Sequence, residues 1–428
     1  MNKIKTGNIC FFCPSREFGG AENLIIRLTK SLLLRDIKVT IIDYPDGIVK
    51  IALSDTNGVV FIDYNQNNIL KVEDITHLIS FSYWIEKIKR ELIVNKNVII
   101  IFWFIHPYHI FHFIKPIQRN KAKYLYFNYK RKIKRMLHVI SGKGGLKFMD
   151  YENYYIAKEY FELDFKPEYL QIPINKKSIG NNPELRTVSD EISVVWIGRL
   201  PIEKVNILIF TIEEIRLWSI RNSQKINFYI IGSGLAENIL NDYLSERPFD
   251  FVRITRKNSI PPDEIPSFLQ DKKLMFAMGT AALEGGAEGV PTVLLDYSYR
   301  DYKKIKKLNY KFKWLYQTTD YKLGSDIFKS KNLLIQENHM TIDDIFNLIL
   351  DNEKRIIIEN ECYNYCINNH SMEAVMDKLL AYLTQSSFNY SDLLLIDINK
   401  NKFELFVDRL HFLKNKVRNR HINSNNLI

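Results

Sequence analysis

Residues 274–296, LMFAMGTAALEGGAEGVPTVLLD, decide the fold of this chain. They read as a strand (Leu274–Met278), a sharp turn (Gly279-Thr280), a short helix (Ala281–Glu288) and a second strand (Thr292–Asp296). The apolar runs are too short for helices and suit strands buried on both faces, as in a parallel sheet. Gly289 stands where a helix end favours a left-handed residue, and Pro291 cannot continue the helix. If the strands are parallel neighbours, the helix N-terminus near Thr280 and Ala281 opens at the carboxyl edge of the sheet. Open α/β sheets hold ligands there, and free backbone N–H groups favour a phosphate. Glu284, one turn in, would repel that phosphate, so its expected task is to accept hydrogen bonds from hydroxyls such as those of a ribose. The local reading is a nucleotide or nucleotide-sugar site.

The rest of the chain repeats the pattern. Strands at Gly7–Cys13, Ile37–Asp43, Val59–Asp63, Thr76–Ser80 and Val98–Ile105 alternate with helical segments, which implies a parallel sheet with helices on both faces. Gly19-Gly20 lies at the first strand-to-helix turn, where missing side chains let backbone amides approach a ligand; taken alone it is equally a structural turn. Proline after His106 leaves that histidine at a strand's carboxyl edge, facing a ligand or satisfied in a loop. His109 and His112 follow without the carboxylate that a metal site would want. Residues 176–190 are polar and turn-rich and read as a linker. A second series opens with Ile192–Ile197 and the loop GRLPIEK (198–204), where Arg199 and Lys204 can converge on one anion, the first as a fork and the second as a point charge. Asn227–Ile231 leads into Gly232-Ser-Gly234, a strand–GxG–helix element that suits a nucleotide. Residues 297–314, rich in Tyr and Lys, read as irregular surface or helix. Phe403, Phe406, Leu410, Leu413 and Val417 have helical spacing.

The chain has 428 residues, enough for two or three domains, and 46% hydrophobic against 25% charged residues marks it as globular. No apolar run approaches the roughly 20 residues of a spanning helix, and the N-terminus lacks a signal-peptide cleavage pattern. Four cysteines make no disulfide framework; Cys10-x-x-Cys13 reads as small apolar strand residues in a reducing cytoplasm. The net charge of +11 admits two readings, biased composition or attraction to an anionic membrane leaflet or phosphate-rich substrate. The segment 115–135, basic and interleaved with Tyr and Phe, fits the second reading or a solvated helical face. No nucleic-acid module is present, so nucleic acid is not an expected partner.

Together FGGAE (18–22), GRLPIEK (198–204), IIGSG (230–234) and LEGGAEGVPTVLLD (283–296) resemble the retaining, nucleotide-sugar-dependent glycosyltransferases of GT-B fold, above all those that build bacterial surface polysaccharides. The resemblance runs to about residue 300. It implies an α/β architecture: two Rossmann-like, doubly wound parallel-sheet domains facing a cleft, with C-terminal helices. The expected divisions are 1–175 (acceptor side), a linker at 176–190, 191–385 (donor side) and a helical extension at 386–428. By resemblance Arg199 and Lys204 hold the donor diphosphate as it leaves, Glu284 holds the ribose, and Gly279, Thr280 and Ala281 offer backbone contacts to phosphate. Gly19 and Gly20 match the first domain's glycine loop, and His106 the histidine near the transferred sugar. One position departs: the glutamate expected eight residues before Glu284 is Phe276, so the sugar contact it makes in the family is missing or supplied differently. The activity implied is that of a hexosyltransferase-type enzyme (EC 2.4). It would move sugar from a nucleoside diphosphate sugar to a glycan or lipid-linked hydroxyl, retaining stereochemistry, with no metal or other cofactor. Its expected place is the cytoplasm, peripheral at the inner face of the membrane. The alternative is a non-catalytic glycosyltransferase-like subunit that binds nucleotide or glycan and supports a partner enzyme.

Overall fold

The computed structural model describes residues 7–106, 109, 127–174 and 191–397. They form two compact units, one of residues up to Leu170 with those from Met376 onward, the other Gln171–Val375. The sequence-based expectations for His112, the linker at 176–190, the Phe403–Val417 helix and the first part of the basic stretch lie outside the described residues.

In the first unit the chain alternates strands and helices. The strands are β1 (Ile9–Phe12), β2 (Val39–Asp43), β3 (Val59–Asp63), β4 (Leu70–Lys71), β5 (His77–Phe81), β6 (Leu92–Ile93), β7 (Ile99–Phe104) and β8 (Leu146–Phe148). Six of them form one sheet in the order β3-β2-β1-β5-β7-β8, parallel throughout, while β4 and β6 pair separately. The continuous apolar runs of β1, β2 and β7 are explained by burial on both faces. Cys10 and Cys13 share that burial, which pushes their thiols well above the ordinary range and leaves them inert. The chain re-enters this unit at Met376, before the division at 385 that the sequence suggested. The returning segment is tied down by backbone hydrogen bonds: Phe388 N to Lys143 O (3.1 Å), Ile100 N to Phe388 O (2.8 Å) and Tyr390 N to Val98 O (2.9 Å).

The second unit repeats the architecture with β9 (Ile192–Ile197), β10 (Ile226–Ile231), β11 (Val252–Lys257), β12 (Leu274–Ala277), β13 (Thr292–Leu294) and β14 (Lys313–Trp314). The sheet order is β11-β10-β9-β12-β13-β14; all pairs are parallel except β13 with β14. The opening stretch is thus strand, helix (Thr280–Ala287) and parallel strand, as its apolar spacing required. Gly285 and Gly286 let that helix press against its neighbours. A Cβ on Gly285 would stand 2.3 Å from Met275 Sδ, and one on Gly286 2.7 Å from Cys366 Sγ on the helix Asn352–His370.

Residues 297–314, expected as irregular surface or helix, are helical in part, but they also enter the sheet and the core. They form the helix Tyr302–Lys307 and then β14, burying Tyr310, Phe312, Trp314 and Lys313. A buried ammonium needs a partner, and Lys313 finds it in Glu337 (2.9 Å), which also pairs with the buried Lys322. The local run of lysines gave no sign of this, because the partner lies 24 residues away in the chain.

Candidate functional site

In the second unit β10 follows β9 on one side of the sheet, and β12 lies on its other side. The strand order therefore reverses between β9 and β12, the place where doubly wound sheets bind ligands beyond the carboxyl ends of the strands. Two elements converge there. Beyond β9 comes Gly198–Pro201, then the helix Ile202–Asn222; beyond β12 come Met278, Gly279 and the helix Thr280–Ala287.

The first element carries the two cations. Arg199 is exposed and Lys204 half-buried, and neither has a hydrogen-bond or ion-pair partner among the described residues. Burial lowers the Lys204 pKa, and the charge of Arg199 lowers it further against the opposing pull of Glu203. Lys204 also stands in the first turn of its helix, where the macrodipole disfavours a cation by about 0.3–1 kcal/mol. Three unfavourable effects thus act on one lysine, and an anion placed beside it would offset them.

The loop bearing Arg199 is fixed by the glycines that the sequence offered as a nucleotide motif. Gly232 has φ +146°, and a Cβ there would stand 1.9 Å from the Gly198 carbonyl oxygen; one on Gly234 would stand 2.6 Å from that of Leu200. Gly198 N donates to Ile231 O (3.0 Å) and Leu200 N to Ser233 O (3.0 Å). The absent side chains let two backbones lie together, so Gly232 helps to fix the position of Gly198 and, next to it, Arg199.

At the second element Gly279 has φ +65° and ψ −145°, a region essentially restricted to glycine. Its N–H is already committed to Leu323 O (2.7 Å). The amides of Thr280 and Ala281 make no hydrogen bond among the described residues and form the open helix terminus. Glu284 is exposed one turn further on. Phe276 lies wholly inside β12 and meets Phe312 edge-on at 5.8 Å. Its place in the strand faces the core.

In the first unit the order reverses between β1 and β5. Gly19 caps the helix Gly20–Leu33, and a Cβ on Gly20 would meet nothing within 4 Å. A Cβ on Gly19 would stand 3.0 Å from Glu22 Oε2, so a carboxylate lies over this turn and suits a hydroxyl better than a phosphate. Tyr83, just beyond β5, meets His109 edge-on at 4.7 Å, and His109 stands 6.1 Å from His106. Burial, with the charge of Glu22, pushes the Tyr83 phenol well up, so it stays neutral. Sequence reasoning missed Tyr83, although its place two residues past a buried strand was a usable signal.

Among the described residues no helix is long and apolar enough to cross a membrane, and no three His, Cys, Asp or Glu side chains gather as a metal site. The architecture is the GT-B fold of glycosyltransferases. A glycosyltransferase structure from Rickettsia africae ESF-5 matches 91% of this chain and 99% of its own, at 13% identity and a TM-score of 0.54. The structure of TarM matches 90% of this chain and 100% of its own, at 12% identity and 0.52. At such identities the likeness is one of fold. The chain matches no protein-family model and no curated protein sequence.

Proposed function

We propose that this chain is a glycosyltransferase that moves a sugar from a nucleoside diphosphate sugar to a hydroxyl of a glycan or lipid-linked acceptor. The observation that carries the reading is the pair Arg199 and Lys204, without partners among the described residues, beside the open N-terminus at Thr280 and Ala281. Two cations and two free amides at one switch point form a cradle for a diphosphate. In the reaction the bond from the anomeric carbon to the diphosphate oxygen breaks, and its electron pair leaves on the phosphate. The acceptor oxygen bonds to that carbon and its proton is released. Charge develops on the departing phosphate, where fixed donors act most strongly. We assign the ribose to Glu284 and the surroundings of the transferred sugar to His106. Transfer is taken to be retaining and independent of a metal or other cofactor.

A second reading is favoured by one observation. Phe276 turns into the core, so no side chain at that position can supply the missing sugar contact. A chain of this kind would bind nucleotide or glycan and support a partner enzyme. Thermal shift across a panel of nucleotide sugars and nucleoside diphosphates, followed by donor hydrolysis, separates the two. A bound donor raises stability by about 2.7 kcal/mol at a hundredfold excess over Kd. Binding with slow hydrolysis supports the enzyme, binding without hydrolysis supports the subunit, and no binding by any member sinks both.

An anionic membrane surface is the partner we propose for the first unit. Arg131 and Arg135 are exposed on the helix Phe127–Gly142, and Val139, Leu394 and Leu395 are exposed apolar side chains. The protein is expected to sediment with vesicles containing phosphatidylserine at low salt and to be released at high salt. Equal sedimentation with neutral vesicles would count against a surface read by charge.

A further inference from the structure

Asp296 follows β13, the last parallel strand of the second unit's sheet, and is 1% exposed. Its carboxylate accepts hydrogen bonds from Ser325 N (2.8 Å), Tyr310 Oη (3.0 Å) and Asn338 Nδ2 (3.1 Å). Among the described residues no cation pairs with it directly. A buried carboxylate of this kind is costly unless neutral donors satisfy it, and here three do. The positions of those donors show what the cost secures.

Ser325 belongs to the loop 318–326, where Asp320 (φ +52°) and Tyr321 (φ +60°) are consecutive left-handed non-glycine residues. Each such residue costs roughly 1–2 kcal/mol. A loop keeps strain of this sort only when its surroundings over-determine it. Here Thr318 Oγ1 donates to Lys322 O (2.8 Å), Lys322 pairs with Glu337, and Asp296 holds Ser325. What the loop delivers is the Leu323 carbonyl, which accepts the Gly279 N–H at 2.7 Å. That bond sets the turn from which the Thr280 and Ala281 amides project.

The same residue bears on the cation loop from the other direction. Two positions after Asp296, Ser298 N donates to Glu203 O (2.9 Å), and Asn206 Nδ2 donates to Ser298 O (2.9 Å). Glu203 immediately precedes Lys204. Backbone bonds also join the adjoining residues, with Leu295 N on Ala277 O (2.8 Å) and Tyr297 N on Ser325 O (2.9 Å). The carboxylate therefore anchors the loop that holds the helix-terminal turn, and the strand end it fixes, two residues on, carries the backbone link to Glu203 beside Lys204.

We propose that Asp296 is a positioning residue of the diphosphate site, fixing the Gly279 turn through the Leu323 carbonyl and the Lys204 turn through Ser298. The inference rests on the donor-binding reading above. Asp296 touches no ligand; it acts through the loop. The consequence is selective: contacts to the diphosphate depend on Asp296, and contacts to the nucleoside do not.

The test measures Kd by calorimetry for two probes, well below each variant's Tm. The first probe is the nucleoside diphosphate, among ADP, CDP, GDP and UDP, that binds wild type; the second is its parent nucleoside. Asp296→Ala is expected to weaken the diphosphate about tenfold, the size found when the shell supporting a site is lost, with nucleoside binding unchanged. Asp296→Asn is expected to restore most of that affinity. Its amide oxygen still accepts Ser325 N, and the Asn338 oxygen, without a partner among the described residues, can turn to accept from the new amide. Gly324→Ala covers the case in which Asp296→Ala does not fold. Its Cβ would stand 2.8 Å from Leu295 O at φ +119°, displacing the loop without burying a charge, and the same selective loss is expected. Trp218→Phe, altering a core stack on Phe346 that shares none of these hydrogen bonds, is expected to leave both constants unchanged. Folded variants that bind the diphosphate within twofold of wild type, or that lose both probes equally, overturn the positioning role alone. A wild type that binds none of the four diphosphates overturns both this proposal and the reading on which it rests.

Discussion

Arg199→Ala and Lys204→Ala are each expected to lower kcat/KM for sugar transfer by about 100- to 1,000-fold, the effect of removing one fixed donor from a site where charge develops. Stability should move the other way or hardly at all. Neither cation has a hydrogen-bond or ion-pair partner to lose among the described residues. Lys204 is held half-buried beside a like charge, at the positive end of a helix, and these effects lower its pKa. Its removal takes an unfavourable group out of the ligand-free protein, so Lys204→Met should leave Tm equal or slightly raised while transfer collapses. The conservative exchanges divide the roles. Arg199→Lys loses the two-pronged grip on phosphate oxygens and should remain impaired, whereas Lys204→Arg keeps a charge at the helix start. Transfer and Tm measured on the same preparations decide the matter. Unchanged turnover in either alanine variant would remove that residue from the mechanism, and a large fall in Tm would show that the cation is structural.

Glu337→Gln is expected to be the most destabilising of the changes considered. The carboxylate lies between Lys313 and Lys322, whose side chains are 1% and 3% exposed. Neutralising it leaves two buried ammonium groups with only an amide between them. Breaking a buried pair in this way costs about 3–5 kcal/mol, and here one change breaks two. For a unit of this size a fall in Tm of roughly 10 °C follows. The pH dependence has a defined sign. Burial pushes the Glu337 carboxyl up, but hydrogen bonds from Lys322 and Lys313, with their charges, outweigh it and hold the pKa below the ordinary value of 4.5. A carboxyl whose folded pKa is depressed adds stability above its unfolded pKa, and that stability is lost as pH falls through the folded value. Wild type should therefore lose stability as the solution is acidified below about pH 4.5, and Glu337→Gln should be less stable at neutral pH with a flatter acid limb. Calorimetry across that range tests both parts. A variant as stable as wild type at neutral pH would mean that the two lysines reach solvent.

Much of the scaffold was legible in the sequence because it rests on local rules. Short apolar runs bounded by glycine and proline marked the strands, and the run from Leu274 to Asp296 was read with its turn, helix and left-handed Gly289 correct to about one residue at most ends. Arg199 and Lys204 were legible as cations near a strand end. That they lack partners among the described residues was not, since a partner can come from anywhere in the chain. Tyr83 and Asp296 escaped notice for the same reason, each owing its significance to contacts with distant segments. Lys313 was misjudged because charge normally signals surface, and only its ion pair with Glu337 makes its burial tolerable.

The sequence by itself determined the α/β alternation, the two successive sheets and the placing of Gly279, Thr280 and Ala281 at a strand-to-helix turn. Backbone geometry and the burial of apolar strands act over a few residues, so these features are written locally. The tertiary structure alone decided which groups of that turn are free. It assigned the Gly279 N–H to Leu323 O, turned Phe276 into the core and set the Gly198 loop against Gly232. Each is a hydrogen bond or close approach between segments tens of residues apart, and no local pattern encodes a partner at that distance.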